Sequence, residues 1–175
     1  MLMNATEAVR TKLDVREFSP KPVLNEIKVA VLEAARLTQS GNNSQHWRFI
    51  LVQDPANLEQ MSMDSPQGRW ISGANFAVIV CTDPERGNHM LDAGRAVQDM
   101  QLTAWDHGVA SGVFMGVNKN PEFRRDFAIP DGLSSTVVVG FGYPVRTLKG
   151  KKDRKALSEI AYLEKYGSGI QPLFA

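Results

Sequence analysis

Apolar residues recur along the chain in two modes, blocks at helical spacing and short unbroken runs, and their alternation predicts a mixed helix and strand fold. Asn4 to Lys12 reads as a first helix, broken by Phe18-Ser19-Pro20-Lys21-Pro22. Asn25 to Leu37 reads as a second, with Ile27, Val31, Leu32, Ala34 and Ala35 on its apolar side. Phe49 to Val52 is the first strand. Asp54-Pro55 opens a short helix carrying Leu58 and Met61, and Ser65-Pro66-Gln67-Gly68 marks a loop before a second strand at Phe76 to Cys81. After an irregular connection from Asp83 to His89 and a long helix come Val109 to Val117 as a strand or buried turn and Pro121 to Phe127 as a short helix. Thr136 to Phe141 is a third wholly apolar strand, and Ala156 to Tyr166 a last helical segment.

The long helix, Leu91 to His107, has an unusual pattern. Ala93, Ala96, Val97, Met100 and Ala104 make one apolar stripe, while Leu102 and Trp105 fall on another side. A helix apolar on two sides is buried on two sides. Small residues at Ala93, Gly94, Ala96 and Ala104 let another helix approach closely, inside the fold or across a two-fold axis.

Composition narrows the class. With 175 residues, 43% hydrophobic and 22% charged, the chain fits one globular domain, residues 1–175, with a real core. A formal charge of +1 supplies no global field for a nucleic acid or an anionic membrane, which argues against both as partners. The one cysteine, Cys81, lies inside an apolar strand and is expected to be buried and inert; no intrachain disulfide or cysteine metal site can be built. The N-terminus has neither a basic nor an apolar leader region, and no segment approaches the ~20 apolar residues of a membrane span. A soluble, cytoplasmic protein is the expectation.

The most informative chemistry lies in Ser40-Gly41-Asn42-Asn43-Ser44-Gln45-His46-Trp47, a polar loop rich in amides between a helix and a strand. Small residues there let a planar ligand approach the backbone, carboxamides and hydroxyls can bond a ring with many acceptors, and Trp47 offers an indole wall. Alone, such a loop is as often a surface connection as a cofactor site. Two further segments change the balance: Lys12-Leu13-Asp14-Val15-Arg16-Glu17-Phe18 upstream, and Val137 to Pro144, ending in Gly142-Tyr143-Pro144, downstream. In their order and spacing the three resemble the nitroreductase family of flavin enzymes, in which R-R-S-x-R-x-F, S-x-x-N-x-Q-P-W and a late strand ending in G-Y-P follow one another. The resemblance covers nearly the whole chain.

The resemblance implies an α+β (α/β sandwich) fold, a central, mostly antiparallel sheet flanked by helices, assembled as a homodimer with two flavin sites at the interface. It implies FMN as cofactor and NAD(P)H as electron donor, with the chemistry on FMN and no catalytic side chain. Cofactor contacts fall on Lys12, Leu13, Asp14 and Arg16, on Ser40, Asn43 and Gln45 from the opposite subunit, on Met115 and Gly116 near flavin N5, and on Lys152 and Arg154. Lys12 stands where the family's first Arg meets the phosphate, and Arg16 where positive charge stabilises the reduced ring. Asp14 departs from the family's Ser or Thr; beside a phosphate it would repel, and it is expected to face ribityl hydroxyls or an Arg. His46 replaces the family's Pro and is expected to alter the pocket entrance. The long helix is assigned to the dimer interface, and a charge at Ala96 is expected to give monomers or aggregates with little FMN.

The residues by themselves leave some of this open. The basic run Lys149, Lys151, Lys152, Arg154 and Lys155 also reads as a solvated loop or a nucleic-acid patch, and Gly108 to Gly116 also reads as a glycine-containing core strand. Trp70 and Trp105 read as packing residues, although Trp70 could cap the flavin pocket. Gly140-Phe141-Gly142 is no dinucleotide fingerprint, because Val145 holds the third glycine position and Pro144 follows. His46, His89 and His107 lack metal spacing, and no hydrolase elbow is present. The expected activity is electron transfer from NAD(P)H to a nitroaromatic, a quinone or a similar small electron-poor acceptor by a ping-pong cycle. A flavin storage or sensor module, or an enzyme that fragments reduced flavin with oxygen, are the alternatives.

Overall fold

The structure, a computed structural model, describes residues 4–146, 148 and 152–174. Helix α1 (Ala5–Thr11) is capped by the Asn4 side chain, which accepts from the Glu7 N–H at 2.9 Å. Then follow α2 (Asn25–Leu37), β1 (Arg48–Val52), α3 (Pro55–Met63), β2 (Phe76–Thr82), α4 (His89–Asp106), β3 (Ala110–Phe114), α5 (Pro121–Asp126), β4 (Ser134–Gly142) and α6 (Leu157–Ile160). The four strands form one sheet in the order β1-β2-β4-β3, antiparallel throughout.

The order explains which strands read as unbroken apolar runs. β2 and β4 are central and covered on both faces, so neither alternates with polar residues. Phe76, Val78 and Val80 join Val137, Val139 and Phe141 in a core shared with Ile27, Val31 and Ala35 of α2 and Ala96 and Met100 of α4. Ala77, Ile79, Cys81 and Val138 point the other way, against Leu58, Met61, Ile71 and Phe123. The sheet is thus a middle layer between α2 and α4 on one side and α3, α5 and a 3-10 turn over Pro66–Gly73 on the other. Burial pushes the Cys81 thiol up to about 11, which leaves it protonated near neutral pH.

Two expectations change. The last helix spans only Leu157–Ile160 instead of running to Tyr166. Its apolar residues Leu157, Ile160 and Tyr166 are all exposed and join no core among the described residues, and Glu164 takes a φ of 62° that a helix cannot contain. Ala96, where a charge was expected to disrupt the dimer interface, is fully buried in the core. The outward residues are Met90, Leu91, Gly94, Arg95, Gln98 and Asp99, with half-buried Leu102 and Trp105 continuing the line of Leu91, Gly94 and Gln98. No helix among the described residues is long and apolar enough to cross a membrane, and no acidic, His or Cys cluster among them could hold a metal ion.

Candidate functional site

The segment after α1 is attached to the edge of the sheet. Asp14 pairs with Ser111 of β3 in a parallel bridge, the Val15 N–H donates to the Ser111 carbonyl at 2.8 Å, and Phe18 bridges to Pro144 just beyond β4. Gly112 permits this docking, because a Cβ there would stand 2.4 Å from the Val15 carbonyl oxygen, a backbone atom that cannot swing aside. Gly112→Ala is therefore expected to destabilise the protein by about 1–3 kcal/mol, the usual cost of overpacking, as a lower midpoint in urea unfolding. An unchanged midpoint would show that the segment is not tightly docked.

Docking places Asp14, Arg16 and Glu17 on one wall of a cavity of about 440 Å³, opposite Pro144, Val145 and Arg146. The Arg16 guanidinium lies 3.5 Å from the Val113 carbonyl of β3 and 5.7 Å from the centre of the Trp70 ring. Met115 and Gly116 continue from the same strand; Met115 is exposed, and Gly116 has a φ of 100°, a left-handed conformation that suits glycine. Residues 12–16 and 111–116, far apart in sequence, thus share one edge. Leu13 is half-buried within that segment.

The basic groups are engaged with their own chain. Lys12 donates to Asp14, whose carboxylate also accepts from the Gln101 amide of α4 at 3.2 Å; Gln101 donates to Ser111 as well, at 3.0 Å. Asp14, expected to face ribityl hydroxyls or an arginine, thus meets a lysine and an amide of its own chain, because the bridge to β3 turns it toward α4. Lys152 donates to the Val9 carbonyl, which brings the late basic run onto α1. Arg154 donates to the Asp153 carbonyl and is exposed, as is Lys155, while Lys149 and Lys151 lie outside the described residues.

The Ser40–Gln45 loop is held elsewhere. Its Gly41 N–H donates to Asp92 near the start of α4, whereas Asp14 is tied to Gln101, about 13 Å further along that helix at 1.5 Å per residue. Within the chain, then, the loop and the basic segment attach to different ends of α4. The loop's exposed members, Asn42, Asn43 and Gln45, have φ values of 54°, 53° and 46°, and the Ser40 hydroxyl accepts from the Gln45 N–H at 3.0 Å.

His46, expected to alter the pocket entrance, is buried, with Nε2 3.2 Å from Asp92. His89 contacts the Thr82 hydroxyl at the start of α4, and His107 is exposed at its end. Trp70 packs, as expected from the sequence, with its ring where Cβ atoms on Gly112 and Gly140 would be. Trp105 donates from its indole to the Thr11 hydroxyl at 3.0 Å.

Sequence reasoning missed Arg146, Gln101 and Asp92. Arg146 lines the cavity but lies in an unpatterned stretch after Pro144. Asp92 and Gln101 did carry a signal: they are polar residues on the inner face of α4, in step with Ala96, Met100 and Ala104.

The nitroreductase family model matches residues 9–74, which include the docked basic segment and the amide loop. A protein of Archaeoglobus fulgidus bearing the provisional name NADH dehydrogenase/NAD(P)H nitroreductase is 30% identical over 154 residues, 83% of this chain and 86% of that protein. Among solved structures, an FMN-dependent nitroreductase from Clostridium difficile superposes with a TM-score of 0.83 at 21% identity, over 91% of this chain and 98% of its own, a likeness of fold. A Bacteroides thetaiotaomicron protein with the same provisional name as the archaeal one gives a TM-score of 0.83 at 27% identity, with the same coverage. With its antiparallel sheet between helical layers and its matching relatives, the chain belongs to the nitroreductase family.

Proposed function

We propose that the chain is a single flavin-binding domain that works as a homodimeric, FMN-dependent NAD(P)H oxidoreductase and passes electrons to small electron-poor acceptors such as nitroaromatics or quinones. The observation that carries this reading is the cavity between residues 14–17 and residues 144–146 and 148. It combines two cations, Arg16 and Arg146, with the apolar surfaces of Pro144, Val145 and Leu148, a donor set suited to a flat heteroaromatic with an acceptor-rich edge. Named relatives support it: the Archaeoglobus fulgidus protein is named for NAD(P)H, and the Clostridium difficile structure for FMN.

FMN, when bound, supplies hydride acceptance from reduced nicotinamide and delivery to the acceptor. The chain's part is binding, orientation and charge. Arg16 places a permanent positive charge at the ring's edge, Lys12, Lys152 and Arg154 supply donors for the phosphate, and Leu13 and Asp14 line the ribityl side. Met115 and Gly116 offer main-chain groups to the reacting edge. Ser40, Asn43 and Gln45 reach the flavin of the opposite subunit, a role favoured by their attachment to the far end of α4.

Mass spectrometry of the ligand released from purified yellow protein, with NAD(P)H oxidation in nitrofurazone and menadione, tests the reading. FMN without turnover would indicate storage, and loss of the flavin spectrum under reduction and oxygen would indicate fragmentation. Arg16→Ala is expected to slow flavin reduction about 10²- to 10³-fold in stopped-flow bleaching while FMN is largely retained, because its charge acts on the reduced ring. Reduction at the wild-type rate would remove Arg16 from this role.

A further inference from the structure

The best-enclosed charge near the loop is Asp92, fully buried in the first turns of α4. Its Oδ2 accepts from the Gly41 N–H at 3.0 Å and the Asn88 amide at 3.0 Å and lies 3.2 Å from His46 Nε2, while Oδ1 is 3.3 Å from the Arg95 guanidinium. The other imidazole nitrogen, Nδ1, accepts from the Asp83 N–H at 3.4 Å, an arrangement that assigns the His46 hydrogen to Nε2, directed at Asp92. A buried carboxylate is costly unless its oxygens are satisfied, and here both are.

The partners sit at the two ends of the amide loop. One carboxylate holds Gly41 at the start and His46 at the end, and between them Asn42, Asn43 and Gln45 all occupy the left-handed region. Such residues persist only where their surroundings fix them. The fit is close: a Cβ on Gly41 would come within 1.8 Å of the Asn88 amide nitrogen.

We propose that Asp92 is the positioning residue of this loop. It acts through Gly41 and His46 to hold Ser40, Asn43 and Gln45 in the conformation that grips the cofactor, without touching the cofactor itself. This rests on the assignment of the loop to the partner's flavin. Asp92→Asn keeps the shape but removes the charge and turns a donor toward groups that are already donors.

The test is a fluorescence titration of FMN and of riboflavin into the dimer, for Asp92→Asn, for Ser40→Ala with Asn43→Ala, and for all three together. Asp92→Asn is expected to weaken FMN about tenfold to a hundredfold, and riboflavin by the same factor, because the phosphate is held elsewhere. Added to the loop variant, it is expected to cost less than about twofold more, since coupled residues are not additive. Fully additive losses would mean that Asp92 acts on stability alone, and the proposal fails. A loop variant with wild-type FMN affinity would instead overturn the loop's flavin role, and the positioning role with it. Should Asp92→Asn not fold, Asn88→Ala, which removes one donor at the start of α4, is expected to weaken both ligands about twofold to tenfold; unchanged affinity would overturn the proposal.

Discussion

Gly94→Glu is expected to give a folded monomer that has lost about nine-tenths or more of its bound FMN. Gly94 lies on the outward stripe of α4 between exposed Leu91 and half-buried Leu102 and Trp105, and a Cβ there would meet nothing within 4 Å in its own subunit. The subunit therefore tolerates the change, and replacing a mid-helix glycine stabilises the helix itself by roughly 0.5–1 kcal/mol. In the proposed dimer the carboxylate would block close approach by a second α4 across a two-fold axis. FMN goes with the dimer because each site would draw Ser40, Asn43 and Gln45 from the other subunit, and cofactor binding would stabilise the assembly by mass action. Light scattering of wild type and variant, with flavin absorbance read across each peak, decides the matter. A wild-type monomer carrying stoichiometric FMN would overturn both the dimer and the cross-subunit loop. Ala96→Glu does not serve this purpose: it would bury a charge among Val31, Val97 and Met100 and unfold the subunit.

That contrast marks where the sequence was legible. The runs at β2 and β4 could be read because strands covered on both faces need apolar residues at every position, and Asn25–Leu37 because a single apolar stripe fixes its orientation. α4 was harder. Alanine and glycine occupy both its sides, so composition marked two buried faces without saying which residues belong to which. The order of the motifs pointed to the family, but the pairings around them are three-dimensional. Nothing local to Asp14 foretells Gln101, and nothing local to His46 foretells Asp92, since each pair is joined only when α4 packs beside the sheet. The end of the tail helix was illegible for the opposite reason: Leu157 to Tyr166 has helical character, but burial within the subunit does not support it.

Neutralising Lys12 and Arg154 together is expected to separate FMN from riboflavin, which lacks the phosphate. A hydrogen bond to a charged group contributes about 1.5–3 kcal/mol, so losing both weakens FMN on the order of a hundredfold to ten-thousandfold and leaves riboflavin nearly unchanged. Asp14 adds a sign that the basic residues alone do not have. Lys12 is paired with it, and in the proposed cradle a phosphate dianion would share or take that lysine in the presence of a carboxylate held by Gln101. Asp14→Ser should therefore tighten FMN and not riboflavin. The gain is small, about twofold to fivefold, because Asp14 is 63% exposed and solvent screens the pair. Fluorescence titration of both ligands against the wild type, the Lys12→Met/Arg154→Met variant and Asp14→Ser checks both effects. Equal losses for FMN and riboflavin would contradict the phosphate cradle. A weaker FMN complex in Asp14→Ser would mean that the carboxylate helps to orient Lys12 for the cofactor and does not compete for it.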